Sequence, residues 1–304
     1  MRLALTLALL ALVPITAGAA PGKVIPQICW IEYSATDLPG AMGGQGITET
    51  KVWHSTFSGV LVRHPRGDML IDTGLSPDAP AEVNELPKNE RTFGQGIVKS
   101  AKNPIYPPQA LAKAGEGGAD LKAILITHAH YDHMGGALTL TAPVLVSAAE
   151  KQWITAQAKS PTIVPPSMAG RLSSRLQVIQ YDSGAYMGFA QSKDYYGDHS
   201  VVVVPLPGHT PGSQGVFLNL PGKRLFLIGD TTDTLEAAYR GLPKSDVVRS
   251  ATDFVPELAD RQAAAIARFH RAHPDIAIIP AHDRTAYAVA FGQPFACTAA
   301  PPRR

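Results

Sequence analysis

The sequence predicts an α/β sandwich of two similar halves, with helices over the outer faces of packed sheets. Three observations point there. Short apolar, β-branched runs are interspersed with helical stretches along most of the chain. The segment 58–74 is echoed by 214–231: a glycine opens one strand (Gly59, Gly215) and an aspartate closes the next (Asp72, Asp230). Polar residues of metal-ligand type follow directly on several apolar runs, as they do where strand ends form a binding mouth.

The elements follow in order. Strand-like runs cover Ile28–Tyr33, Lys51–Phe57, Gly59–Arg63 and Asp68–Ile71, the last two joined through the turn Pro65-Arg66-Gly67. Residues 75–118 are rich in Pro, Gly and Asn, with weak helical patches near 80–86 and 108–115, and read as a long loop or lid. Leu121–Thr127 and Val144–Val146 are strands, and Ala148 to about Ala158 is helical. The stretch 159–200 reads as irregular and carries Tyr181, Tyr186, Tyr195 and Tyr196. Val201–Val204 is a buried strand by its unbroken β-branched run. Gly215–Leu220 and Arg224–Ile228 flank Pro221-Gly222 as a second hairpin, Ala259–His270 has helical periodicity, and Ile276–Ile279 is a last strand.

The 304 residues suit one large domain or two small ones, and 45% hydrophobic with 17% charged residues is enough to build a core. We take residues 20–304 as a single domain. A net charge of +2 and the lack of a long basic run exclude a nucleic-acid partner. Arg2, the apolar stretch Leu3–Val13 and Ala17-Gly18-Ala19 read as a signal peptide over residues 1–19, with cleavage expected after Ala19. Export to the periplasm or beyond is therefore expected, with no membrane anchor left after cleavage. The apolar run is shorter than the ~20 residues a membrane span needs. Cys29 and Cys297 are the only two cysteines. An even count in an oxidising compartment invites a bridge tying the ends of the mature chain, with two separate buried thiols as the alternative.

The chemistry is concentrated in His128-Ala-His130-Tyr-Asp132-His133, where four potential ligands lie within six residues directly after an apolar strand. Neutral imidazole and carboxylate suit zinc and other borderline divalent ions. A solvated polar loop is the bland alternative, but packing does not call for three histidines and an aspartate. His209, Asp230 and His282 each repeat the placement just beyond an apolar run. Gly-rich nucleotide loops and the Gly-x-Ser-x-Gly elbow are absent.

Together, His-x-His-x-Asp-His at 128–133, Gly-His-Thr-Pro-Gly at 208–212, Gly-Asp-Thr at 229–231 and Pro-Ala-His at 280–282 resemble the metallo-β-lactamase-fold hydrolase superfamily. The resemblance runs from about Lys51 to Asp283. It implies a four-layer αββα sandwich of two similar halves. It also implies that His128, His130 and His209 hold one ion, that Asp132, His133 and His282 hold a second, and that Asp230 bridges them. Asp72-Thr73-Gly74 matches an early motif of the family, in which Asp72 supports a ligand rather than being one. Two divalent ions, most simply zinc, with five neutral imidazoles and two carboxylates leave a site of about plus two. Such a site generates hydroxide near neutral pH, with Asp132 orienting it or moving its proton.

An aspartate at 230 departs from the β-lactamase branches, which place Cys or Ser there, and favours the quorum-quenching lactonase branch. The expected activity is opening of a cyclic ester, a small molecule such as an acyl-homoserine lactone, by a metal-bound hydroxide. Other ester, thioester, phosphoester or β-lactam hydrolysis in the same fold is the alternative. A non-catalytic exported metal- or ligand-binding protein is the alternative of another class, and the full ligand set argues against it. Some lactonases of the superfamily carry Tyr three positions after the bridging aspartate, where this chain has Asp233. Tyr239 lies farther on, and the tyrosines of 181–196 are candidates for an apolar substrate wall. His64 reads as a turn neighbour, His199 as a surface residue with pocket lining as the alternative, and His270 and His273 as helix-end or surface groups, while the sequence assigns His54 no role.

Overall fold

The computed structural model describes residues 27–117, 121–157 and 164–298. The expected signal peptide lies outside the described residues. Six strands form the first sheet in the order β1 to β6. They are β1 (Gln27–Pro39), β2 (Val52–Arg63), β3 (Asp68–Ile71), β4 (Leu121–Leu125), β5 (Val144–Val146) and β6 (Leu176–Val178). The second sheet runs in the reverse order from β11 to β7. Its strands are β7 (Lys193–Asp194), β8 (Val201–Pro205), β9 (Gln214–Leu220), β10 (Lys223–Leu227) and β11 (Ile276–Ile279).

The internal echo becomes a repeated topology. In the first sheet β1, β2 and β3 pair antiparallel in turn, and β4 then joins β3 in parallel. In the second, β8, β9 and β10 do the same and β11 joins β10 in parallel. The paired glycines have a shared reason. A Cβ at Gly59 would stand 2.3 Å from the Asp72 carbonyl oxygen, and one at Gly215 would stand 2.6 Å from the Phe226 ring. Each lets the hairpin partner lie close.

Side-chain alternation places the layers. Val201 and Val203 face the first sheet together with Val60, Val62, Met69 and Leu125, while Val202 and Val204 face outward with Phe217, Phe226 and Ile278. Helices cover both outer faces. On the first-sheet side lie α1 (Ala79–Glu82), α2 (Lys88–Ser100), α3 (Pro107–Lys113), α4 (Tyr131–Met134), α5 (Ala148–Gln157) and α6 (Pro166–Leu172). Over the second sheet lie α7 (Leu235–Arg240) and α9 (Pro256–Ala272), while α8 (Asp246–Thr252) packs near α2 and α10 (Arg284–Phe291) buries Ala286, Tyr287, Ala290 and Phe291 with the residues between the sheets. Among the described residues no helix is long and apolar enough to cross a membrane.

Three sequence expectations are corrected. Residues 75–118 are not a long loop: 79–100 and 107–113 are largely helical. The α2 helix has Gly94 and Gly96 in its interior, each costing about 1 kcal/mol against alanine. Packing overrides that weak propensity, for Gly94 is buried and a Cβ there would lie 3.3 Å from both Tyr131 Oη and Val83. Within the stretch expected to be irregular, Pro166–Leu172 is helical and Leu176–Val178 extends the first sheet. Lys51–Phe57 and Gly59–Arg63 merge into the single strand β2.

The cysteines meet where the end of the described chain returns to β1. Cys29 and Cys297 form a disulfide, flanked by backbone hydrogen bonds from Phe295 N to Trp30 O (2.7 Å) and from Thr298 N to Ile28 O (2.8 Å). The tail thereby covers the open edge of the first sheet, which would otherwise present unpaired backbone groups.

Candidate metal centre

Five of the seven candidate residues follow a strand, and the other two stand in the short helix just after β4. His128 and His130 follow β4, Asp132 and His133 begin α4, His209 follows β8, Asp230 follows β10 and His282 follows β11. The packing of the two sheets brings these ends to one place. His128, His130, His209 and Asp230 offer ligand atoms all within 4.8 Å of one another, and Asp132, His133 and His282 form a second such group.

The spacing within each group suits a shared cation. Two donors at 2.0–2.1 Å from one ion in tetrahedral geometry lie roughly 3.3 Å apart. His128 Nε2 is 3.2 Å from His130 Nδ1 and 3.1 Å from His209 Nε2. In the second group His133 Nε2 is 3.2 Å from His282 Nε2, and His282 Nε2 is 3.4 Å from Asp132 Oδ2. Asp230 spans the two: Oδ2 lies 3.5 Å from His209 Nε2 and 3.1 Å from His282 Nε2, and Oδ1 lies 3.3 Å from His133 Nε2. Asp230 Oδ1 is buried without a hydrogen bond. A buried carboxylate oxygen left so is costly, and a divalent cation would supply the missing partner. The residues present therefore fit a dinuclear site.

The outer ring nitrogens explain which atoms face the centre. Asp72 Oδ2 accepts from His133 Nδ1 at 3.0 Å and from Thr127 Oγ1 at 2.8 Å, while Thr127 Oγ1 in turn accepts from His128 Nδ1 at 3.2 Å. His282 Nδ1 donates to the Thr56 carbonyl at 2.9 Å and His209 Nδ1 to Asp253 Oδ1 at 2.7 Å. Holding the proton on the outer nitrogen leaves the inner lone pair free. Asp72 adopts φ 55°, a left-handed conformation that aspartate tolerates better than most residues. Its role is to support His133 and His128.

Three supporting groups had no sequence signal. Lys244 Nζ donates to Asp253 Oδ1 at 2.8 Å and lies 2.6 Å from His209 Nδ1. Burial works against the Asp253 charge, yet the Lys244 ammonium and His209 hold its pKa down at about 2. Glu150 is buried at 1% exposure and takes hydrogen bonds from Ala129 N, Thr210 Oγ1 and Gly212 N. Burial pushes its pKa up to about 7 against those three donors.

The protonation states of the two groups differ. Burial holds His128 and His130 well below the usual imidazole value, and burial with the nearby Lys244 charge lowers His209. For His133 and His282 burial is outweighed by the carboxylates of Asp230 and Asp132, which hold His133 well above its usual value and His282 at about 9. A metal ion needs a neutral imidazole. Filling the second group at pH 7 is therefore expected to release protons, and its affinity to rise as the pH climbs toward the value of about 9 at which His282 loses its proton. Zinc titration into metal-free protein with a pH indicator in weak buffer measures this. Metal binding without proton release would contradict the charge assignment.

A cavity of about 680 Å³, counting its open mouth, opens over the centre. Its floor includes His130, Asp132, Asp230 and His282, and its walls carry Leu38, Met42, Trp53, Phe57, Phe93 and Val248. Among the described residues no Lys or Arg lines it. Asp233 sits in the wall, 2% exposed, with burial raising its carboxyl to about 7.

The tyrosines of 181–196 are not part of this wall. Tyr181 bonds to Gln214, and Tyr196 stacks on His64 at 3.7 Å and donates to the Gly67 carbonyl. Tyr239 stacks on His270 at the last turn of α9. His54 and His199 are exposed, paired with Asp37 and Asp194.

Residues 54–147 match the family model of the metallo-β-lactamase superfamily. A probable metallo-hydrolase of Mycobacterium tuberculosis is 30% identical over 256 residues, spanning 76% of this chain and 76% of its own. An N-acyl homoserine lactonase of Bacillus thuringiensis is 26% identical over 238 residues, spanning 76% of this chain and 80% of its own. Among solved structures, B. thuringiensis AiiA with N-decanoyl-L-homoserine at its active site superposes with a TM-score of 0.62 at 18% identity, over 88% of this chain and 97% of that one. AidC, a dizinc quorum-quenching lactonase, superposes with a TM-score of 0.59 at 16% identity, over 86% and 88%.

Proposed function

The chain belongs to the metallo-β-lactamase superfamily of metal-dependent hydrolases, and from that premise we propose that it is an exported, dinuclear lactonase acting on an apolar, uncharged cyclic ester. His128, His130 and His209 would hold one ion, Asp132, His133 and His282 the other, with Asp230 between them; zinc suits this donor set. Bound there, the ions would supply positive charge that acidifies water and polarises an ester carbonyl.

The observation that carries the substrate class is the cavity. Its walls are largely apolar, with the carboxyls of Glu90 and Asp233 among them, and hold no cation among the described residues. β-Lactams, glutathione thioesters and phosphomonoesters carry anionic groups, and such groups call for Lys or Arg in a binding site. A neutral ester with an alkyl chain needs none and gains from burying that chain against Leu38, Trp53, Phe57 and Phe93. The likeness to N-acyl homoserine lactonases, one of them holding N-decanoyl-L-homoserine, supports the same reading.

The chain's own residues have separable tasks. The walls orient the ester and exclude water. An Asp132 carboxylate oxygen takes a proton from the attacking water and returns it to the ring oxygen as the acyl–oxygen bond breaks. Asp230 keeps negative charge at the centre, since the histidines around it hold its carboxyl well below the usual range despite burial.

The direct test is proton release from an N-acyl homoserine lactone by mature protein reloaded with zinc, beside a chelated control. Chelator-sensitive ring opening is expected. No release from protein that holds both metals would sink the lactonase reading and leave other neutral esters of this family in its place. Export is tested separately by the mass of periplasmic protein, expected to begin at Ala20.

A further inference from the structure

The sequence Ser147-Ala148-Ala149-Glu150 spells a capping box at the start of α5. Ser147 Oγ accepts from Glu150 N at 3.1 Å, as that motif requires. In a capping box the glutamate carboxylate would turn back to the backbone N–H of the serine. Here it does not. Oε1 accepts from Ala129 N at 2.6 Å and from Thr210 Oγ1 at 3.0 Å, and Oε2 accepts from Gly212 N at 2.9 Å.

Those partners belong to two loops from different halves of the molecule. Ala129 lies between His128 and His130, and Thr210 follows His209. Ser147 Oγ adds a bond to the Gly212 carbonyl at 2.8 Å. The second loop must come very close: a Cβ at Gly212 would stand 2.2 Å from Glu150 N. The histidine nitrogens these loops carry lie only 3.1–3.2 Å apart, so a shift of a few tenths of an ångström would spoil them as joint ligands.

We propose that Glu150 is a positioning residue for the first metal: its carboxylate clasps the His128–His130 loop to the His209 loop and sets their convergence on one ion. It touches no ligand side chain of the second group, so its effect is confined to the first. The proposal rests on the ligand set proposed above.

The two groups can be read apart by titrating cobalt(II) into full-length mature protein and following its d–d absorption against a competing chelator. A His282→Ala background retains the first group, and a His209→Ala background retains the second. Glu150→Gln places an amide NH2 against backbone N–H and hydroxyl donors. In the His282→Ala background it is expected to weaken cobalt binding about 10–100-fold, the range for partners that orient ligands. In the His209→Ala background the change stays within about threefold. Thr210→Val, which removes one donor and keeps the fold's backbone bonds, gives a smaller loss in the same background only. Equal weakening of both groups by Glu150→Gln marks a merely structural role and overturns the proposal, as does unchanged affinity of the first group. No cobalt in either background overturns the ligand set itself, and this proposal with it.

Discussion

Asp230→Ala is expected to yield a folded protein that is poor in metal and slower in kcat/KM by about 10³-fold or more, beyond the 10²–10³ typical of losing one transition-state hydrogen-bond donor. Asp230 alone reaches both groups, within 3.5 Å of His209, His133 and His282. On the proposed ligand set, its removal would take one ligand from each ion and the negative charge that would let two cations lie close. The fold should survive, because His133 and His282 lose their main carboxylate partner and can turn neutral rather than remain as buried cations. His209→Ala should also lose activity but keep the second group's ion. Metal content after gel filtration, circular dichroism and proton release read the three outcomes apart. Wild-type activity in either variant would overturn the ligand assignment.

Removing the Cys29–Cys297 disulfide has the largest expected effect on stability. The bond joins residues 268 apart in sequence, so it constrains nearly the whole described chain in the unfolded state. On the chain-entropy argument such a link contributes about 2–5 kcal/mol. For a domain of this size that corresponds to a Tm lower by about 5–15 °C. Cys29→Ala with Cys297→Ala should show that drop, the wild type should show it on reduction, and the variant should ignore the reductant. An unchanged wild-type melt in reductant would remove the bond from the account. The result bears on export as well, since such bonds persist in oxidising compartments. Protein retained in a reducing cytoplasm is expected to melt at the lower temperature.

Most of the candidate centre was legible because its chemistry is spelled in residue types that packing rarely demands. Three histidines and an aspartate in six residues, then His209, Asp230 and His282 each just past an apolar run, already name the residues that the fold gathers into the two groups. The strands were legible for a related reason. Val201–Val204, Leu225–Leu227 and Ile276–Ile279 are buried on both faces between sheet and helix, and a strand buried on both faces is written as an unbroken apolar run. The echo of Gly59 and Asp72 in Gly215 and Asp230 announced two similar halves, because the same close hairpin imposes the same small residue twice.

The wall of the cavity was not legible. It gathers Leu38, Trp53, Phe93 and Val248 from four separate segments, and Phe93 stands on a helix whose glycines and polar residues argue locally for a loop. The tyrosine-rich stretch drew attention by composition and packs elsewhere. Lys244, Asp253 and Glu150 were equally silent, for they act on residues 35, 44 and 60 positions away. A lone buried charge carries no periodicity and no motif; it has a role only once folding has surrounded it. The sequence by itself thus determined the candidate ligands and the strands that carry them, since both are dictated by residue chemistry and local burial. Tertiary structure alone decided which helices line the cavity and which buried charges hold the ligands in place, because those contacts exist only when distant segments meet.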